Sequence, residues 1–260
     1  MPDGIRLKAP EPIKVRGVIL GGDRPAVCAP ILGPTMDRMK ASAEEALGEG
    51  VDMLELRIDS LSAVDESEIR DLVHGIRDMG EAPIIITNRP KYEGGFKEQD
   101  EEDRIRMLVE ATSIDGIDLI DVELSTKPKA RDLIIDSAKK HGVYVIISYH
   151  NFKFTPDKEE LLKIVDEEER SGADVIKFVT MPNTHKDVLT QLQALLESRG
   201  KVKRPIISAS MGSLGAYSRI VGLLLGSDLV YASLPGQPSA PGQLTIREVR
   251  TVLNILNPEE

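Results

Sequence analysis

Val143-Tyr144-Val145-Ile146-Ile147-Ser148 is apolar almost throughout and rich in β-branched side chains. Such a run reads as a strand buried on both faces. Further along, residues 158–171 place charged side chains at helical spacing, and Gly172 stands where that helix ends. A second β-branched run follows, Val175-Ile176-Lys177-Phe178-Val179. Buried strand, surface helix and buried strand form a βαβ unit, the building block of a parallel sheet.

The pattern recurs along the chain. Strands are expected at residues 27–31, 53–58, 83–87, 117–123, 143–148, 175–179, 205–210 and 229–232. Helices are expected at 37–49, 66–79, 101–114, 129–141, 158–171, 185–199, 217–225 and 245–256. Gly50, Gly80, Gly142, Gly172 and Gly200 sit where left-handed C-caps are wanted, and Thr35, Asp65 and Thr155-Pro156 mark helix entries. Eight strand–helix units without a low-complexity linker predict a single (β/α)8 TIM barrel over residues 1–260. An open doubly wound sheet is the alternative, but Pro30-Ile31-Leu32-Gly33-Pro34-Thr35 after the first strand has no G-x-G-x-x-G turn. Residues 1–25 do not fit a βα unit. Residues 13–20 read as a strand and Gly21-Gly22-Asp23 as a turn, an N-terminal β-hairpin arm closing the bottom of the barrel.

Composition narrows the function. The 260 residues are 41% hydrophobic and 29% charged, which suits a globular chain long enough for a full core. A net charge of −10 argues against nucleic acid, which needs clustered Lys and Arg, and 3% aromatics with no Trp argue against base stacking. The single cysteine, Cys28, excludes an internal disulfide and a multi-cysteine zinc site, and reads as a buried strand thiol. Met1-Pro2-Asp3-Gly4 opens no apolar leader, and the richest apolar stretch, 220–230, is broken by Gly222, Gly226 and Asp228. The expectation is a cytoplasmic protein with no membrane partner.

Active sites of the barrel fold form at the C-terminal ends of strands, so polar residues there are informative. Strand two ends Glu55-Leu56-Arg57-Ile58-Asp59, strand three runs into Asn88-Arg89 and Glu93-Gly94-Gly95, and strand four carries Asp121-Val122-Glu123. Glu55 and Arg57 share a face, either as an ion pair at the barrel mouth or as ligand contacts. Asp121 and Glu123 also share one, as metal ligands, as a base, or in a network with Arg57 or Arg89. Strand five ends Ser148-Tyr149-His150, and Lys177 lies inside strand six with Val175 and Val179 on its own face. A lysine is almost never fully buried without a partner or a purpose. Desolvation favours its neutral amine, a nucleophile toward carbonyls, although pairing with Glu123 is the competing explanation. His150 on the neighbouring strand would move an α-proton once an imine had formed.

Taken together, Glu55-Leu56-Arg57-Ile58-Asp59, Arg89-x-x-x-Glu93-Gly94-Gly95, Asp121-Val122-Glu123-Leu124, Ser148-Tyr149-His150-Asn151-Phe152, Lys177, Met181-Pro182, Ser210-Met211-Gly212, Ser218-Arg219 and Ser239-Ala240-Pro241-Gly242-Gln243 resemble the type I 3-dehydroquinate dehydratase family. The resemblance implies a cofactor-free, metal-free lyase of the shikimate pathway that dehydrates 3-dehydroquinate to 3-dehydroshikimate, in a homodimer. It implies that Lys177 forms the Schiff base and that His150 is the general acid and base, assisted by Glu93. It implies that Glu55, Arg57 and Arg89 hold the ring hydroxyls, and that Arg219, Ser239 and Gln243 hold the carboxylate end. The long loop after strand eight, 233–243, would be a lid carrying Ser239 and Gln243. Cys28-Ala29-Pro30 departs from the family, which often has a substrate-contacting serine there, a difference of one hydrogen bond or roughly 1 kcal/mol. A class I aldolase-type barrel lyase would also use a strand-six lysine, and is told apart by carbon–carbon cleavage in place of water loss.

Overall fold

The computed structural model describes residues 5–62 and 65–256. The first four residues, on which the absence of a leader was read, lie outside them. Eight parallel strands form one sheet: β3 (Ala26–Ile31), β4 (Met53–Arg57), β5 (Ile84–Thr87), β6 (Leu119–Glu123), β7 (Tyr144–Asn151), β8 (Val175–Thr180), β9 (Ile206–Ser210) and β10 (Leu229–Tyr231). They neighbour one another in chain order, and β10 returns to pair with β3. A parallel bridge between Ile206 and Ser227 and the bond from the Asp228 N–H to the Ile206 carbonyl (2.7 Å) join β9 to the approach of β10, so the sheet closes as a (β/α)8 barrel. The helices are α1 (Met36–Gly48), α2 (Glu66–Arg77), α3 (Glu101–Ala111), α4 (Pro128–His141), α5 (Lys158–Arg170), α6 (His185–Arg199), the short α7 (Gly212–Gly215), α8 (Ser218–Leu224) and α9 (Ile246–Leu256).

Two-residue periodicity sorts each strand between two cores. Leu54, Leu56, Ile84, Ile86, Ile120, Val122, Ile176 and Phe178 pack outward with the helices. Met53, Ile85, Leu119, Ile146, Val175, Ile207 and Leu229 form the floor of the barrel with Cys28, which is a buried free thiol. The inward positions above this floor are the polar ones: Glu55, Thr87, Asp121, Ser148 and Lys177.

Beneath the floor sits the hairpin β1 (Ile13–Val15) and β2 (Val18–Leu20), whose Ile13, Val15 and Leu20 join the same core. Its turn is at Arg16-Gly17, not at 21–23, and splits the single expected strand into two. Arg16 takes φ +49°, and its guanidinium is held by Asp118 (2.7 Å) and Glu81 (2.7 Å) on the barrel rim. Three local expectations also shift. The N-cap of α5 is Asp157, which accepts the Glu160 N–H, while the Thr155 hydroxyl bonds that of Thr180 (2.8 Å). Gly50, Gly142 and Gly172 have positive φ, but Gly80 and Gly200 do not. Their N–H groups bond three residues back, to Arg77 and Glu197, so the helix ends tighten into 3₁₀ turns that need no left-handed residue.

Candidate active site

The nine side chains singled out from the sequence line one cavity at the C-terminal mouth of the barrel. Strand register sets their heights. Ser148 on β7 pairs with Lys177 on β8, and His150 with Val179, so the imidazole stands one inward position above the lysine. The strand β7 runs through Asn151 and carries His150 within the sheet, at the strand end where the sequence placed it.

Lys177 is 4% exposed. Its Nζ donates to Asp121 Oδ2 (2.7 Å) and to the Tyr231 hydroxyl (3.1 Å), and lies 3.8 Å from Glu55 Oε1. The competing pairing with Glu123 does not occur. Glu123 is held instead between Arg89 (2.7 Å) and Arg104 (2.6 Å). A buried ammonium without an anion would be costly, and Asp121 supplies that anion.

Asp121 is the hub of the network, taking Arg89 Nη2 (2.8 Å), Lys177 Nζ and the Ser148 hydroxyl (2.6 Å). Burial pushes its carboxyl up, but Arg89 and Lys177 outweigh that and hold it well below the usual range. Glu55 accepts the Thr87 hydroxyl (2.8 Å) and does not pair with Arg57. Arg57 is instead gripped by both oxygens of Asp59 (2.9 and 2.8 Å) and stacks over Phe96. Among the described residues no cluster of three or more His, Cys, Asp or Glu is arranged to hold a metal.

Glu93 reaches His150 through a turn that needs glycine. Gly94 has φ +85°, and a Cβ on Gly95 would overlap the Arg89 carbonyl. Glu93 Oε2 lies 3.2 Å from His150 Nδ1, and its other oxygen accepts the Ser125 hydroxyl. Burial and the Glu123 charge raise the Glu93 pKa to about 7. Burial, then Arg89 and Lys177, push that of His150 well below 6.5. The result is a neutral imidazole with a carboxyl group orienting its Nδ1 side, and its Nε2 has no hydrogen-bond partner among the described residues.

Arg219, 4% exposed on α8, differs from the other cations. Its Nε and Nη2 donate to the backbone carbonyls of Gly242 (3.1 Å) and Pro241 (3.2 Å), and no acidic side chain pairs with it among the described residues. Burial lowers its pKa to about 10. Those carbonyls belong to the loop bearing Ser239 and Gln243, which bond each other (2.8 and 2.9 Å). Bonds between Ser233 and Leu244 (2.9 Å) and between Ile246 and Ser233 (3.1 Å) bring the ends of that loop together, in the manner of an Ω-loop over the barrel mouth.

Three participants were not picked out from the sequence as site residues. Asp59 was visible as a carboxylate two residues from Arg57. Arg104 lies on a helix, three residues after Glu101, where the pattern reads as a surface pair. Tyr231 reads as core.

A family model described as type I 3-dehydroquinase matches residues 27–260. The chain is 40% identical to a 3-dehydroquinate dehydratase of Geobacillus kaustophilus over 251 residues, 95% of this chain and 97% of the relative. It is similar to the crystal structure of 3-dehydroquinate dehydratase from that organism, with a TM-score of 0.91 at 38% identity, covering 95% and 97% of the two chains. It is also similar to a type I enzyme of Clostridium difficile solved with covalently modified comenic acid, with a TM-score of 0.90 at 32% identity, covering 97% and 98%.

Proposed function

The chain belongs to the type I 3-dehydroquinase family, and from that membership we propose how its own residues carry out the reaction. The enzyme is a hydro-lyase of the shikimate pathway that converts 3-dehydroquinate to 3-dehydroshikimate and water. In this reading the Lys177 amine attacks the C3 ketone, and loss of that oxygen as water leaves an iminium. The iminium withdraws electrons from C2, and neutral His150 takes the C2 proton to give an enamine. The enamine expels the C1 hydroxyl, which leaves as water with the proton His150 has gained. Hydrolysis of the conjugated iminium frees the product and Lys177. Glu93 orients His150. Glu55, Arg57 and Arg89 take the ring hydroxyls, and Arg219, Ser239 and Gln243 the carboxylate.

The observation that carries this reading is a nearly buried amine and an imidazole of lowered pKa on adjacent strands, opening into one cavity. Arg219 supports the carboxylate assignment, because a buried guanidinium calls for an anion and none pairs with it among the described residues. Borohydride reduction in the presence of 3-dehydroquinate is expected to add one ligand mass, mapped to Lys177, and none to Lys177→Met, which should be almost inactive. An adduct on Lys153 or Lys91 would overturn the assignment. A homodimer and a cytoplasmic location complete the proposal, resting on the family resemblance. Sedimentation of the purified protein and cell fractionation are their tests.

A further inference from the structure

Tyr231 ends β10 with its ring in the cavity wall, 8% exposed. Its hydroxyl accepts the Lys177 Nζ proton at 3.1 Å, and the same Nζ lies 4.4 Å from the ring centroid. Lys177 is its one hydrogen-bond partner among the described residues, so the phenolic proton is free to point to a ligand. Burial and the nearby Glu55 raise its pKa well above 10, so the phenol keeps that proton at any working pH.

Imine formation poses a problem that this placement answers. In going from lysine ammonium and ketone to iminium and water, two protons leave nitrogen and both end on the departing oxygen. Nitrogen and oxygen share one carbon, so direct transfer closes a strained four-membered ring. The neighbours of Nζ divide sharply. Asp121 is locked as an anion by Arg89 and Lys177 and is a poor acid, and Glu55 already accepts the Thr87 hydroxyl. His150 stands one inward position higher on the neighbouring strand, with its Nδ1 turned to Glu93.

We propose that Tyr231 is a catalytic residue of the carbonyl steps, relaying protons between Lys177 nitrogen and the C3 oxygen. As the N-protonated carbinolamine collapses, the phenol oxygen takes one of the two nitrogen protons while its own proton passes to the leaving hydroxyl, and the second nitrogen proton stays on the iminium. The C–O bond breaks, the nitrogen lone pair forms C=N, and water departs. The phenol ends as it began and never bears charge, so its high pKa is no obstacle. The reverse relay serves product hydrolysis. This leaves His150 to the C2 proton and the C1 hydroxyl.

The inference rests on Lys177 being the imine lysine, and the test separates the two. Wild type and Tyr231→Phe, which keeps the ring and its packing, are mixed with 3-dehydroquinate and quenched with borohydride at millisecond intervals, in H₂O and D₂O. The expected result is an adduct on Lys177 in both, formed ~10²–10⁴-fold more slowly in the variant. The solvent isotope effect on its formation should be marked in wild type and changed in the variant, which a purely structural role would not produce. Exchange of the C2 proton from the preformed imine should be unaffected. Adduct formation at the wild-type rate, or an unaltered isotope effect, overturns the role of Tyr231. Absence of a Lys177 adduct in wild type overturns the underlying reading instead.

Discussion

Arg219 is a buried guanidinium with no counter-charge among the described residues, while Arg57, Arg89 and Arg104 each grip a carboxylate. That difference sets Arg219 apart as the candidate for an anionic group, while Arg57 and Arg89, already charge-paired, are left to the neutral ring hydroxyls proposed for them. A substrate carboxylate presents two oxygens, and only the planar fork of arginine meets both. Arg219→Lys is therefore expected to raise KM ~10–100-fold, about one charge-assisted bond of 1.5–3 kcal/mol, with a smaller change in kcat. Steady-state kinetics check this, and an unchanged KM would place the carboxylate elsewhere. The sequence showed which residue types gather at the mouth but not who pairs with whom. Lys177 stood out because a cation interrupts an apolar strand. Its partner Asp121 lay two strands away with several possible claimants, and Tyr231 was invisible because an aromatic ring in an apolar run looks like packing.

The elements were legible from periodicity and their ends less so, because ends depend on local hydrogen bonds. The sequence 158–171 fixed α5 as a helix, but its cap moved from Thr155 to Asp157 when Thr155 bonded across to β8. The inward face of α5 is Leu161, Ile164, Val165 and Glu168, and the last is an acid where the pattern asks for an apolar residue. Both Glu168 carboxyl oxygens are buried and make no well-formed hydrogen bond among the described residues, although the Lys177 backbone N–H is close enough to favour the ionised form. Burial, with Asp121 and Glu93 adding to it, raises its pKa well above 4.5. The native state thus holds a proton that the unfolded chain releases, so the contribution of this group is full below about pH 4.5 and is lost as pH rises toward its folded pKa. Glu168→Met fills a similar volume without the buried polar oxygens. It should remove a cost of about 1–3 kcal/mol and raise Tm by roughly 2–6 °C near pH 8, with a smaller gain at pH 5. Thermal melts at the two pH values test this, and a Tm at pH 8 equal to or below wild type would show that Glu168 has a stabilising partner.

At the scale of the whole molecule, the barrel divides its labour along its axis. The repeat of eight βα units made the architecture readable, since each unit is a local pattern and closure follows from their number. The hairpin was harder to read, because Arg16 at φ +49° is an unusual turn residue whose anchors, Asp118 and Glu81, are remote in sequence. Its purpose follows from the floor above it. Without Ile13, Val15 and Leu20, the apolar floor of Met53, Ile85, Leu119, Ile146 and Val175 would face water. The polar layer of Glu55, Asp121 and Lys177 lies above that floor, so the hairpin should govern stability and leave chemistry alone. Leu20, 1% exposed, is the cleanest probe. Leu20→Ala should cost about 2–5 kcal/mol in urea unfolding, as buried leucine truncations do. At temperatures well below its Tm, kcat and KM should stay within about twofold of wild type, less than 0.5 kcal/mol of barrier. A kcat that falls tenfold while the variant remains folded would show that the floor transmits its packing to Lys177 through the strands, and that the two ends of the barrel are not independent.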